Sequence, residues 1–89
     1  MAQRELTIIN RLGLHARAAA KFVTLASGFE CEITVRNRDK NADAKSIMSV
    51  MMLAASKGTV IEIDAQGVDA EEAVAAIEAL IQDKFGEPD

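Results

Sequence analysis

One cysteine and one histidine stand among the 89 residues, too few for an ordinary Cys/His zinc site and too few for an internal disulfide. A metalloenzyme, a metal-clipped fold and a disulfide-stapled mini-protein are all excluded as expectations. Tryptophan and tyrosine are absent and three phenylalanines are the only aromatics. With no basic run either, nucleic acid is a poor partner. The longest uninterrupted apolar run, Val50 to Ala55, is far short of a bilayer span, so no membrane insertion is expected. No stretch suited to a signal peptide follows Met1–Glu5, which with the lone thiol points to the cytoplasm. The single proline, Pro88, lies in the tail, leaving the body of the chain without proline breaks.

What is there is an ordinary globular balance, 49% apolar and 27% charged, which argues against disorder. A chain of this mass buries roughly 63% of its surface on folding, enough for one thin two-layer core and one domain, 1–89. The net charge of −4 hides an asymmetry. Residues 1–57 carry nine Lys/Arg against five Asp/Glu, whereas residues 58–89 carry one against nine. The acidic part reads as a solubilising face, and the basic part as the place for an anionic ligand or acidic partner.

Hydrophobic spacing predicts the elements. Leu6 and Ile8 alternate with Glu5 and Thr7 in a first strand that runs to a turn at Asn10. Gly13 permits a tight loop before a helix near 16–27, whose buried stripe is Ala19, Phe22, Val23 and Ala26, with Gly28 as its stop. Residues 30–36 alternate strictly, with Cys31, Ile33 and Val35 inward, and 37–41 form a polar turn before a weak return strand at 41–44. Ser46 is a good N-cap for a short helix through Leu53. After Gly58, Thr59, Ile61, Ile63 and Ala65 oppose Val60, Glu62 and Asp64 in another strand. The final helix opens on Asp69-Ala70-Glu71-Glu72, a variant capping box, and buries Val74, Ile77, Leu80 and Ile81. The order β-α-β-β-α-β-α gives an α+β class: a four-stranded sheet with three helices on one face and water on the other.

His15 is the one residue able to carry protons or a covalent group near neutral pH, and it sits where a helix normally starts with Ser, Thr, Asp or Asn. A helix N-terminus supplies unpaired N–H groups and the positive end of the macrodipole. That setting disfavours imidazolium and leaves a lone pair for nucleophilic attack. The same N–H groups can receive phosphoryl oxygens, and the Arg17 guanidinium adds a planar fork for them. Phosphoryl transfer needs these parts. A lone surface histidine beside an arginine is the plainer alternative.

Gly13-Leu14-His15-Ala16-Arg17 resembles the phosphorylation motif of the histidine-containing phosphocarrier proteins of the bacterial phosphoenolpyruvate-dependent phosphotransferase system. Lys45-Ser46-Ile47-Met48-Ser49-Val50-Met51 is similar to that family's second signature, and the separation, chain length and element order agree as well. The resemblance implies an open-faced β-sandwich with an antiparallel sheet, in a carrier rather than an enzyme, with no cofactor. It implies that His15 accepts a phosphoryl group on Nδ1 from phosphorylated enzyme I and passes it to a histidine of an enzyme IIA protein. Arg17 and the backbone N–H groups of Ala16 and Arg17 would hold the phosphate. Ser46 would be open to regulatory phosphorylation by a serine kinase/phosphorylase, although a simple N-cap role suffices for it. Ala20, Ile47, Met48 and Met51 would form the partner interface of a monomer.

Two residues depart from the family's usual pattern: Ala18 stands where proline is common, and Ser49 where glycine is common. Ala18 should loosen the turn slightly without abolishing it. Leu12-Gly13-Leu14 and the Ala-rich helix start look closer to the nitrogen-related branch than to the sugar-transport carrier. A regulatory protein of that branch, and a non-catalytic ligand-binding or interaction domain, are the competing readings.

In the short helix, Val50 and Leu53 are expected to face the core while Ile47, Met48 and Met51 reach the surface, where flexible methionine suits changing partners. The alternative is that the methionines fill core gaps. Lys21, Lys40 and Lys45 could form a basic rim that speeds encounter, or equally be ordinary solvated charges, the reading that suits Lys40 better. Cys31 reads as a small buried apolar residue, and Glu71 and Glu72 as helix-start acids.

Overall fold

The computed structural model describes residues 1–88. Its elements are β1 (Ala2–Thr7), α1 (Ala16–Ser27), β2 (Glu32–Asn37), β3 (Lys40–Asp43), α2 (Ile47–Met52), β4 (Val60–Gln66) and α3 (Ala70–Gln82), followed by a 3-10 turn at Lys84–Gly86. The four strands form one antiparallel sheet in the order β1-β4-β2-β3.

Alternation decides which face is dry. Leu6 pairs with Ile61 and Ala2 with Ala65, while Val35 lies opposite Ile63 on one side and Ala42 on the other. All of these side chains are buried. The residues between them, Gln3, Glu5, Glu32, Thr34, Arg36, Glu62 and Asp64, occupy the open face, where the Arg36 guanidinium pairs with the Glu62 carboxylate. Helical period supplies the other layer: Ala18, Ala19, Phe22 and Ala26 from α1, and Ala70, Ala73, Val74, Ile77 and Ile81 from α3. Alanines make up most of the buried α1 face, with Phe22 its one large side chain, while Val74, Ile77 and Ile81 fill the α3 face. Val23 and Leu80, expected in the buried stripes, are only partly buried and border the core.

The first strand begins earlier than the alternation suggested, because Ala2 already pairs with Ala65, and it ends at Thr7. The turn expected over 37–41 is tighter, since Asn37 and Lys40 are themselves a ladder pair and Arg38 adopts a left-handed conformation. Gly28 is the C-cap of α1 but right-handed, at φ −77°, so glycine's special freedom is not what ends that helix.

The expected capping box at α3 does not form. Asp69 is the N-cap, yet its side chain makes no cap bond; its two oxygens accept from the backbone N–H groups of Glu30 (2.8 Å) and Cys31 (2.9 Å). Two otherwise unpaired donors ahead of β2 compete better for the carboxylate than the helix's own solvated N–H groups. Those bonds, the Glu30 N–H foremost, hold the Asp69 carboxyl below its ordinary range. Cys31 is buried as expected, and burial, followed by the hydrogen bond to Asp69, pushes its thiol up.

Candidate functional site

The loop from Asn10 to Leu14 presents His15. Gly13 has φ +67°, and a Cβ there would lie 2.5 Å from the Ala55 carbonyl oxygen and 2.8 Å from Ser56 Cα, so only glycine fits. Leu14 N–H donates to the same Ala55 oxygen at 2.8 Å, tying this loop to the segment that follows α2. His15 is the N-cap of α1, in extended conformation (φ −75°, ψ 178°), and its ring makes no cap bond. The first intrahelical bond runs from Ala19 N–H to the His15 carbonyl (2.8 Å), which leaves the N–H groups of Ala16, Arg17 and Ala18 ahead of the ladder. The first turn of α1 carries no acid.

A groove of about 570 Å³ opens over this turn, lined by Arg11, Leu12, His15, Ala16, Arg17, Glu87 and Pro88. His15, Ala16 and Arg17 all line this groove. The ring is 29% exposed, enough to be reached and little enough to be held. What holds it is Glu87, whose Oε2 lies against His15 Nε2. Its Oε1 accepts from Asn10 Nδ2 at 2.9 Å, and that amide also donates to the Gly13 carbonyl at 2.9 Å. The Asn10 amide first, and the imidazole second, keep the Glu87 carboxyl below its ordinary range. The ring thus lies between the positive end of α1 and a carboxylate, with Nδ1 the nitrogen that has no partner among the described residues.

Asn10 and Glu87 were not singled out by the sequence. Asn10 read as a turn residue, and nothing in a polar tail 72 positions beyond His15 marks Glu87. Asn10 is nevertheless the one buried polar side chain among the described residues.

Ser46 caps α2 as expected, its Oγ accepting from Ser49 N–H at 3.4 Å, and it lies outside the groove. Val50 and Leu53 are buried, whereas Ile47 (39%), Met48 (68%) and Met51 (40%) are exposed, so the core-filling alternative for these methionines falls. A helix of six residues on a thin core has only one side to bury. Met52 and Leu12 are exposed as well. Ala20 is half-buried.

The basic rim changes character. Lys21 Nζ donates to the Phe85 carbonyl (2.6 Å) and Lys45 Nζ to the Phe29 carbonyl (2.8 Å), so both act as ties between segments. Only Lys40 of the three is an exposed cation with no such bond. Glu71 and Glu72 stand exposed in the first turn of α3. No cluster of metal-ligating side chains occurs, and no helix is long and apolar enough to cross a membrane, among the described residues.

Residues 2–83 match the family model described as the PTS HPr component phosphorylation site. A phosphocarrier protein HPr from Pseudomonas putida is 53% identical over 88 residues, covering 98% of both chains. A phosphocarrier protein NPr from Shewanella violacea is 46% identical over 85 residues, covering 96% of this chain and 93% of that one. The crystal structure of HPr-C-His from Thermoanaerobacter tengcongensis superposes with a TM-score of 0.94 at 47% identity, covering 98% of each chain, and a second structure of HPr from that organism is of a dimer. The sheet with its layer of helices is thus shared with solved HPr structures, and the chain belongs to the HPr family of phosphocarrier proteins of the phosphotransferase system.

Proposed function

We propose that the protein, as a single domain over residues 1–89, relays a phosphoryl group from phosphorylated enzyme I to a histidine of an enzyme IIA protein, through His15. The observation that carries this reading is a partly exposed imidazole at the start of α1, with Nε2 held by Glu87 and Nδ1 without a partner among the described residues. The Nδ1 lone pair attacks phosphorus, a new N–P bond forms, and the donor imidazole leaves with the electrons of the bond it loses. The Ala16 and Arg17 N–H groups and the Arg17 guanidinium take the phosphoryl oxygens, a reading supported by both residues lining the groove with His15. A phosphoramidate keeps the group transferable, so the chain acts stoichiometrically, without cofactor.

Ala20, Ile47, Met48 and Met51 form the apolar face on which the two partners dock in turn, which their exposure supports for the three α2 residues. Ser46 is the regulatory site of a serine kinase/phosphorylase: a phosphate at a helix start is electrostatically tolerated and adds charge beside the docking face. The carrier works in the cytoplasm as a monomer. A nitrogen-branch regulatory role is the second reading, favoured by the NPr relative.

Intact mass after incubation with phosphoenolpyruvate and purified enzyme I of either branch tests the proposal. Wild type is expected to gain one acid-labile phosphoryl group and His15→Ala none, and the enzyme I that charges it identifies the branch. No gain with either enzyme, in a folded protein, would sink the relay.

A further inference from the structure

We infer that Asn10 is a positioning residue for His15 that acts through Glu87: its buried amide fixes the tail carboxylate on Nε2, so that the ring is held with Nδ1 free.

Three observations carry this. The Asn10 amide is oriented by two acceptors, since Nδ2 faces both the Gly13 carbonyl and Glu87 Oε1. Its Oδ1 is then left buried with no partner among the described residues. An orphaned buried acceptor is costly, and a side chain chosen for stability alone would not leave one. The amide therefore has a task that outweighs this cost, and both of its bonds end at the histidine loop or at the histidine's own partner.

The tail is also strained into place. Lys84 and Phe85 are both left-handed (φ 56°), a conformation that side chains other than glycine resist, and Gly86 continues it at φ 75°. Phe85 is fully buried and its carbonyl is held by Lys21 Nζ, which anchors the turn against that strain. The residue delivered by this turn is Glu87.

Finally, an ionised carboxylate is acceptor-only and can take one bond on each oxygen. Glu87 uses one oxygen for Asn10 and the other for His15, so the amide fixes the position and rotation of the group that meets the ring. Second-layer partners of this kind set ring orientation.

The inference deepens the relay reading and rests on it for its kinetic part, while its structural part does not. In proton NMR, the folded wild type should show an imidazole Hε2 resonance protected from exchange with water, and Asn10→Ala and Glu87→Ala should both lose it; this arm needs no phosphoryl donor. Single-turnover acceptance from phosphorylated enzyme I should slow about tenfold in each variant at unchanged apparent affinity for enzyme I, as expected for a misplaced reacting group. The double variant should be no slower than the slower single one, because both remove the same link. An unprotected Hε2 in the wild type, a wild-type rate in Asn10→Ala, or additive losses in the double variant would each overturn the inference. Should Asn10→Ala fail to fold, Asn10→Ser, whose hydroxyl is too short to span to Glu87, replaces it with the same expectations. If wild type accepts no phosphoryl group while the Hε2 arm behaves as stated, the relay reading fails and the positioning link stands.

Discussion

Helices α1 and α3 pack side by side on the same sheet and begin in the same unusual way, with an N-cap side chain that makes no cap bond. Beyond that they are opposites. The first turn of α3 carries Glu71 and Glu72, so the positive end of its dipole is met by its own carboxylates. The first turn of α1 carries no acid, and the Glu87 carboxylate is turned to the histidine ring. Asp69 at α3 ties down the entry to β2, a structural task, whereas His15 at α1 keeps one ring nitrogen unengaged among the described residues. One helix start is closed by the fold itself; the other is left open, with Arg17 beside it, for an anion that arrives from outside.

The comparison can be broken most directly by giving α1 what α3 has. Ala16→Glu places an acid in the first turn of α1, where it should leave the melting temperature unchanged or slightly higher and slow phosphoryl acceptance about tenfold or more, the equivalent of ~1.4 kcal/mol of like-charge repulsion. Quench-flow with phosphorylated enzyme I, beside a thermal melt, reads both signs. An unchanged rate would mean that the open start of α1 does not matter to transfer.

The converse change should split the other way. Asp69→Ala leaves the Glu30 and Cys31 N–H groups without their acceptor and should lower the melting temperature measurably. Acceptance by His15 should stay at the wild-type rate in the same assay.

Acid sharpens the contrast. The folded-state carboxyls of Asp69 and Glu87 are both held low, so their contributions to stability are fully present above the ordinary carboxylate range of about 3.9–4.3. They are lost as pH falls through the depressed folded values. Urea midpoints measured from pH 6 downwards should therefore fall below about pH 4, and Asp69→Asn and Glu87→Gln should each flatten that limb. Only Glu87→Gln is expected to alter the His15 ring signals as well.

The smallest effect belongs to Ala18, whose N–H lies ahead of the helical ladder and has no backbone bond among the described residues to lose. Ala18→Pro should keep the fold and stabilise it by about 0.4–1 kcal/mol through the unfolded chain. A calorimetric scan checks this; a fall in melting temperature would show that the proline ring clashes in the packed first turn.

Much of this molecule is legible in its sequence because period-2 and period-3.6 patterns are local. Cys31, Ile33 and Val35 alternate inward, and Phe22 and Ala26 share a helix face, whatever the rest of the chain does. The Gly13–Arg17 stretch is legible for the same reason: a tight turn, a helix start and an arginine two residues on are fixed by their spacing. The exposed methionines of α2 followed from the same geometry, since a helix that short on a thin core cannot hide every side.

Tertiary structure alone decided the rest. That Asp69 serves β2 rather than its own helix depends on which unpaired N–H groups the fold brings within 3 Å, and no local pattern records that. Lys21 and Lys45 became ties because carbonyls 64 and 16 residues away lay within reach. The carboxylate on His15 comes from the far end of the chain, carried there by a left-handed turn that the buried Phe85 holds in place. Sequence spacing set the histidine at the head of its helix because that is a matter of a few neighbouring residues. The partner that holds its ring was set only by packing, because a contact across 72 residues exists only once the chain has closed on itself.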